Sequence, residues 1–161
     1  MIKQASENDI RVIEDILSDA VRYLDKAGIP NQWNETSIKW DKLSKDYKIG
    51  DFYIAYENDI PAGCMALTDH DEKYWPETIK GQSLYLHKLV VKREFSGKGF
   101  SKELIDFAKK LTHESGAHTL RLDCNYYRDK LRSIYEGEGF SFVRSKSIGH
   151  NIEMALYEYI D

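Results

Sequence analysis

The stretch from Leu84 to Cys124 restricts the fold of this chain more than any other. Leu84 to Val91 reads as a strand, and Phe100, Leu104, Phe107, Ala108 and Leu111 then recur at helical spacing up to Gly116. Thr119 to Cys124 alternates again through Leu120 and Leu122. The unit β(84–91)-α(99–115)-β(119–124) can put its two strands side by side only through a parallel crossover. Elsewhere the pattern demands antiparallel pairing. Phe52–Tyr56 and Ala62–Thr68 form a hairpin around Glu57-Asn58-Asp59, and Phe140–Val143 and Ile152–Tyr159 form a closing pair. The expected class is α/β, a mixed and mostly antiparallel sheet flanked by helices.

The remaining segments fit that frame. Ile2 to Ala5 reads as a short first strand, followed by a capping-box-like start at Ser6 and Asp9. Ile10, Ile13, Leu17, Ala20, Val21 and Leu24 form one face of a helix that Gly28 and Pro30 stop. A weaker helix is expected over Glu35–Lys45, with Trp40 and Leu43 inward, and Thr68–Lys80 reads as a polar loop. Leu131, Ile134 and Tyr135 mark a short helix closed by Gly137 and Gly139. At 161 residues and 42% hydrophobic, the chain is expected to be one domain, 1–161, with a real core.

Composition also narrows the function classes. The sequence pI near 5.8 argues against a nucleic acid held by a general basic field. No apolar run approaches the ~18 residues of a membrane span, and the N-terminus lacks the layout of a signal peptide. Cys64 and Cys124 are too few for a structural zinc site, so two reduced thiols, no metal and a cytoplasmic location are expected.

One irregularity stands out in the strand 84–91. Leu84 and Leu86 share a face, as do Leu89 and Val91, but the two pairs are out of phase. One extra residue near His87-Lys88 would bring them onto a single buried face, which is the trace of a β-bulge. After the strand, Gly97-Lys98-Gly99 opens a helix. Backbone amides at such a helix start can hold a phosphate, with Lys98, Lys102, Ser96 and Ser101 alongside. A P-loop needs a glycine where Lys92 stands, and that motif fails. A dinucleotide loop needs a third glycine where Lys102 stands, although Asp123 imitates the ribose-binding acid of that fold.

Leu89-Val90-Val91-Lys92-Arg93-Glu94-Phe95-Ser96-Gly97-Lys98-Gly99-Phe100-Ser101 resembles the acyl-CoA-binding segment of the GNAT superfamily of N-acetyltransferases. Leu131 to Phe140 resembles the Tyr-Glu-x-x-Gly-Phe element of the same family, and the order of elements agrees over nearly the whole chain. Departures occur at Ser96, Ser101 and Arg128, where the family usually has Arg or Gln, Gly or Ala, and Asn.

The resemblance implies an acetyl-CoA-dependent N-acetyltransferase acting by direct transfer on a primary amine of a small molecule or peptide. It also implies a splayed pair of parallel strands that receives the cofactor. Leu89, Val90, Val91, Ser96, Gly97, Lys98, Gly99, Phe100, Ser101 and Arg128 would then bind acetyl-CoA, and Tyr135 would be the general acid. His87, beside the proposed bulge, is the candidate base, with Asp123 a lesser one and solvent relay an alternative. Trp33 and Tyr126 are candidates for the acceptor cleft; Asp69-His70-Asp71-Glu72 reads as a solvated loop that could alternatively attract a cationic amine. A homodimer is compatible with this reading. A catalytically silent acyl-CoA-binding sensor or partner module is the alternative.

Overall fold

The computed structural model describes residues Met1–Asp161. Seven strands form one sheet in the order β1-β2-β3-β4-β5-β7-β6. They are β1 (Ile2–Gln4), β2 (Phe52–Glu57), β3 (Ile60–Thr68), β4 (Ser83–Val91), β5 (Thr119–Asn125), β6 (Ser141–Ser147) and β7 (Glu153–Ile160). The helices are α1 (Ile10–Ala27), α2 (Trp40–Leu43), α3 (Phe100–Ser115) and α4 (Asp129–Gly137). The chain forms two compact units, one of Met1–Ala66 with Lys88–Leu104, the other of Leu67–His87 with Ile105–Asp161. No helix is long and apolar enough to cross a membrane.

In the first unit β1, β2 and β3 pair antiparallel. The β2–β3 turn places Asn58 and Asp59 at φ 48° and 66°. Two consecutive left-handed residues match the twist of the flanking strands, and Asn and Asp tolerate that conformation best after glycine. The helix α1 follows a short 3₁₀ turn in which the Ser6 N–H donates to the Asp9 carboxylate at 2.8 Å. It ends where Gly28 adopts φ 64° and the Ile29 N–H reaches back to Leu24 O at 3.0 Å. Ile13, Ile16, Leu17 and Val21 of α1 pack with Ile38, Phe52, Ile54, Cys64 and Val90 in the core of this unit.

The expected helix over 35–45 shrinks to the single turn of α2. Asn34 Oδ1 accepts the N–H groups of Thr36 and Ser37, which fixes a local turn instead of a helix start further back. Lys39 is then extended at ψ 147°, and Glu14 of α1 receives the Trp40 N–H at 2.8 Å. Leu43 is buried as expected, Trp40 only half so, and the fully buried residue of the segment is Ile38.

In the second unit Ser83–Leu86 pairs parallel with Thr119–Leu122, and β7 runs antiparallel to both β5 and β6. The strand β6 continues four residues beyond Val143, through Arg144-Ser145-Lys146-Ser147. Those residues carry no apolar pattern because β6 is an edge strand held by its backbone ladder to β7. Their side chains do other work. Arg144 donates to Tyr74 O at 3.2 Å and to Glu77 at 2.7 Å, and the Lys146 ammonium reaches Lys73 O. The loop after β3, read as polar, therefore holds a small core of its own. Tyr74 and Trp75 pack with Tyr85, Met154 and Leu156.

The irregularity in β4 is real, and its packing differs from expectation. Lys88 takes φ 53° in mid-strand, and the parallel pairing ends at Leu86. Beyond the break it is Val90 that is buried, while Leu89 and Val91 are half-exposed. The Val90 backbone lies so close to β3 that a Cβ on Gly63 would sit 2.5 Å from Val90 O. Glycine is required there by contact, not by its φ. Gly63→Ala must push two backbones apart, and overpacking of this kind costs about 1–3 kcal/mol. Thermal denaturation should show a melting temperature lowered by roughly 3–10 °C for a chain of this size. An unchanged value would mean that the close approach is absent in solution.

Candidate active site

The glycine loop belongs to the first unit. After β4 a 3₁₀ turn spans Arg93–Phe95, and Ser96-Gly97-Lys98-Gly99 leads into α3. Phe95 and Phe100 are both buried and meet edge to face at 5.8 Å, anchoring the loop at its two ends. Gly97 and Gly99 adopt φ 79° and 89°, and a Cβ on either would meet no atom within 4 Å. The four residues between the anchors are exposed. Glu103 N–H closes the first turn on Gly99 O at 3.0 Å, so the amides of Phe100 and Ser101 precede the helical ladder. This is an open, glycine-lined cradle at the positive end of a helix dipole, and it fits a pyrophosphate.

Lys98 does not stand ready as the cation that this loop lacks. Its ammonium is held by Glu57 at 2.9 Å. Lys102 is exposed on the first turn of α3. Trp33, a candidate for the acceptor cleft, is half-buried against the core of the first unit, with the Lys88 ammonium 4.5 Å from its ring centroid.

The second unit carries the titratable groups. The His87 side chain is 16% exposed and lies between two carboxylates. Its Nε2 is 3.9 Å from Asp71 Oδ2 and its Nδ1 is 4.0 Å from Asp123 Oδ1. Asp71, from the run read as a solvated loop, has a side chain only 7% exposed. Its Oδ1 accepts the Tyr74 N–H at 3.1 Å, while Oδ2 is buried with no hydrogen-bond partner. Burial pushes this carboxyl above the usual range, with backbone N–H donors opposing the shift. The cause of its burial is the aromatic pair Tyr74-Trp75, which draws the loop onto the sheet. Two adjacent aromatics in a polar segment were the available signal in the sequence.

Tyr135 lies on α4 with 6% exposure, its ring 6.0 Å from Phe140 and 6.5 Å from Tyr157. Burial first, then the neighbouring Cys124, drives its phenol well above the ordinary tyrosine value; Arg128 opposes and Asp123 assists. The hydroxyl is therefore a protonated donor at neutral pH. Arg128 precedes α4 and donates its N–H to Asn125 O at 3.1 Å. Asn125 is buried and its Oδ1 accepts the Tyr127 N–H at 3.0 Å, so its side chain builds the turn. Tyr126 is occupied too: the Arg132 guanidinium lies 4.4 Å from its ring centroid, and Phe142 packs on it at 6.3 Å. Cys64 and Cys124 are free, and burial pushes both thiols up to about 12.

Comparison with known proteins agrees with this architecture. The model of the acetyltransferase (GNAT) family matches residues 13–140. The chain belongs to that family. Among curated proteins it is 27% identical over 129 residues to the uncharacterized N-acetyltransferase YesJ of Bacillus subtilis, covering 72% of each chain. Among solved structures, a GNAT-family acetyltransferase from Listeria monocytogenes superposes with a TM-score of 0.77 at 28% identity, over 99% of this chain and 94% of that one. The yncA acetyltransferase of Salmonella typhimurium, solved with acetyl-CoA, shares the fold at a TM-score of 0.70 and 14% identity, over 99% and 92% of the two chains. The mixed seven-stranded sheet with one parallel pair is thus a GNAT sheet, and the chain is an acetyltransferase by family.

Two outcomes are expected of the site residues. At φ 89°, Gly99→Val is strained whatever the space around it, so CoA affinity should fall at least about tenfold, while Ser96→Ala changes it little. Calorimetric titration of CoA checks the order, and a larger loss in Ser96→Ala would assign the holding to side chains. For Asp71, the folded-state value lies above the unfolded one, near ~3.9, so ionisation opposes folding. That penalty is absent below the unfolded value and grows as pH rises through it toward the folded value. Asp71→Asn should therefore raise the melting temperature of the ligand-free protein at pH 7, with the gain vanishing as pH falls toward 3. A lowered melting temperature at pH 7 would mean that the carboxylate has a stabilising partner.

Proposed function

We propose that this acetyltransferase moves the acetyl group of acetyl-CoA directly onto a primary amine of a small molecule or peptide, in the cytoplasm. The observation that carries the reading is the exposed cradle at Gly97 and Gly99, at the start of α3, in a chain of GNAT family. Bound acetyl-CoA supplies the acetyl group as a thioester, an acyl donor to a neutral amine.

The chain's own residues divide the remaining work. Backbone amides of Gly97 to Ser101 hold the pyrophosphate, and the β4 backbone from Leu89 to Val91 orients the pantetheine arm. At the break marked by the left-handed Lys88, the Leu89 N–H polarises the acetyl carbonyl. His87 takes the proton that the acceptor ammonium must lose. Tyr135 gives its phenolic proton to the departing thiolate and regains one from the newly acylated nitrogen. Direct transfer is favoured over a cysteinyl intermediate, because thiols held at about 12 are not nucleophiles at neutral pH.

Tyr135→Phe keeps the ring and removes only the hydroxyl. Steady-state thiol release should fall by roughly 10²–10⁴-fold in kcat, nearer the lower figure because a thiol is a fair leaving group. CoA binding by the same variant should stay within about threefold, since one modest hydrogen bond at most is lost. Wild-type turnover with a good amine would leave Tyr135 a core residue.

A further inference from the structure

We infer that Asp71, His87 and Asp123 together form the receptor for the acceptor's ammonium group, which selects cationic amines that carry no carboxylate beside the nitrogen. This rests on the transfer reading above and adds the substrate class. Three facts converge on it. Asp71 Oδ2 is buried, lacks a hydrogen bond and faces the imidazole at 3.9 Å. Asp123 approaches the same ring from the other nitrogen at 4.0 Å. One donor atom from each of the three residues can be chosen so that all lie within 4.8 Å of one another.

The spacing identifies the occupant. A tetrahedral ammonium with N–H···O or N–H···N distances of about 2.8 Å holds its acceptors roughly 4.6 Å apart. A tetrahedral metal ion with bonds of about 2.1 Å would draw its donors to roughly 3.4 Å. With one donor atom taken from each residue, the separations of up to 4.8 Å lie nearer the ammonium spacing than the metal spacing, and the buried Asp71 Oδ2 must be uncovered as the ammonium enters. Two carboxyl groups against one imidazole also put more acid than base at the site. A carboxylate on the acceptor, as in an α-amino acid, would be repelled.

The same arrangement eases the proton step. In the transfer one N–H bond of the ammonium breaks and one N–H bond on His87 forms, giving a neutral amine and an imidazolium. The positive charge moves between two atoms that face the same carboxylates, so these stabilise it before and after. The nitrogen lone pair is released for attack without separating charge.

Matched acceptors that differ by one carboxylate beside their single amine test this: 2-phenylethylamine against phenylalanine, and tyramine against tyrosine. With the full chain and saturating acetyl-CoA, kcat/KM from thiol release should favour the carboxylate-free member of each pair by at least about tenfold. Asp71→Asn should erase most of that preference, chiefly through KM, and leave CoA affinity unchanged. In a parallel measurement, 1,5-diaminopentane should raise the melting temperature of the CoA-bound wild type and not of Asp71→Asn.

Equal use of both members, or an unaltered preference in Asp71→Asn, overturns the inference. If no amine releases thiol, the transfer reading fails. The inference then stands or falls on the diamine's stabilisation of wild type alone. Zinc or manganese chloride is the control. Abolition of activity by a chelator, or stabilisation by the metal that depends on Asp71 and exceeds the diamine's, would make the cluster a metal centre and overturn the assignment.

Discussion

The geometry of β4 is the constraint on which the other features depend. Its pairing with β5 runs in register from Ser83 to Leu86 and then stops, and Lys88 turns left-handed one residue after His87. A non-glycine residue at positive φ in mid-strand is disfavoured, so neighbouring contacts must hold it. On the far side of the break the chain is fixed to β3. Gly63 admits the Val90 backbone at a distance no side chain would allow, Lys88 O receives the Cys64 thiol, and Lys92 N–H donates to Ala62 O at 2.8 Å. One strand thus serves two purposes in sequence. Before the break it presents His87 to the acids of the second unit; after it, Leu89 to Val91 lead into the glycine loop of the first.

Polar side chains of the second unit fall into two groups. Around α4, charge is satisfied: the Tyr157 hydroxyl donates to Glu136 at 2.7 Å and accepts from Arg132 at 2.8 Å, while Arg132 also caps Tyr126 O at 3.2 Å. Such a network rigidifies the helix that carries Tyr135. Around His87, by contrast, Asp71 keeps a buried oxygen without a partner. A buried carboxylate oxygen without a hydrogen bond, close to a well-bonded network, is not what stability alone would select. It is the pattern of a group kept for a cation that arrives from outside.

Much of the fold was legible because its signals are local. The α1 face, the Asn58-Asp59 turn, the crossover through α3 and the phase slip in β4 all follow from periodicity or from residues suited to one backbone conformation. What stayed hidden depends on distant partners. The segment 35–45 has helical spacing, yet Asn34 captures its first amides and Glu14 caps what is left. The tail of β6 looks like a loop because an edge strand needs no apolar alternation. In α3 the buried stripe takes in Ile105 and Thr112, whose hydroxyl bonds Ala108 O at 2.9 Å, while Phe107 and Leu111 sit at its margin. At the site, the glycine cradle and Tyr135 were readable as motif residues. Asp71 was readable only as one of an acidic run; its burial was not, because that is set by Tyr74 and Trp75 and by Arg144, which lies far along the chain. Lys98 looked like a free cation because Glu57, its partner, is remote in sequence.

Proton affinities bring the chemistry together. Acyl transfer needs one group that accepts a proton and one that keeps its own until the leaving group departs. Tyr135, with a phenol raised by burial, stays protonated through the neutral range, and dissociation to bulk solvent is discouraged by the same desolvation. The buried thiols are likewise locked as neutral, so neither competes for the acetyl group. The imidazole of His87, between Asp71 and Asp123, is the group that the proposed transfer uses as base. The two acids beside it make a positive charge welcome at that place, whether it sits on the imidazole or on an incoming ammonium. In the proposed transfer the acid is accordingly the group shielded from solvent, and the base is the group that stands beside two carboxyls.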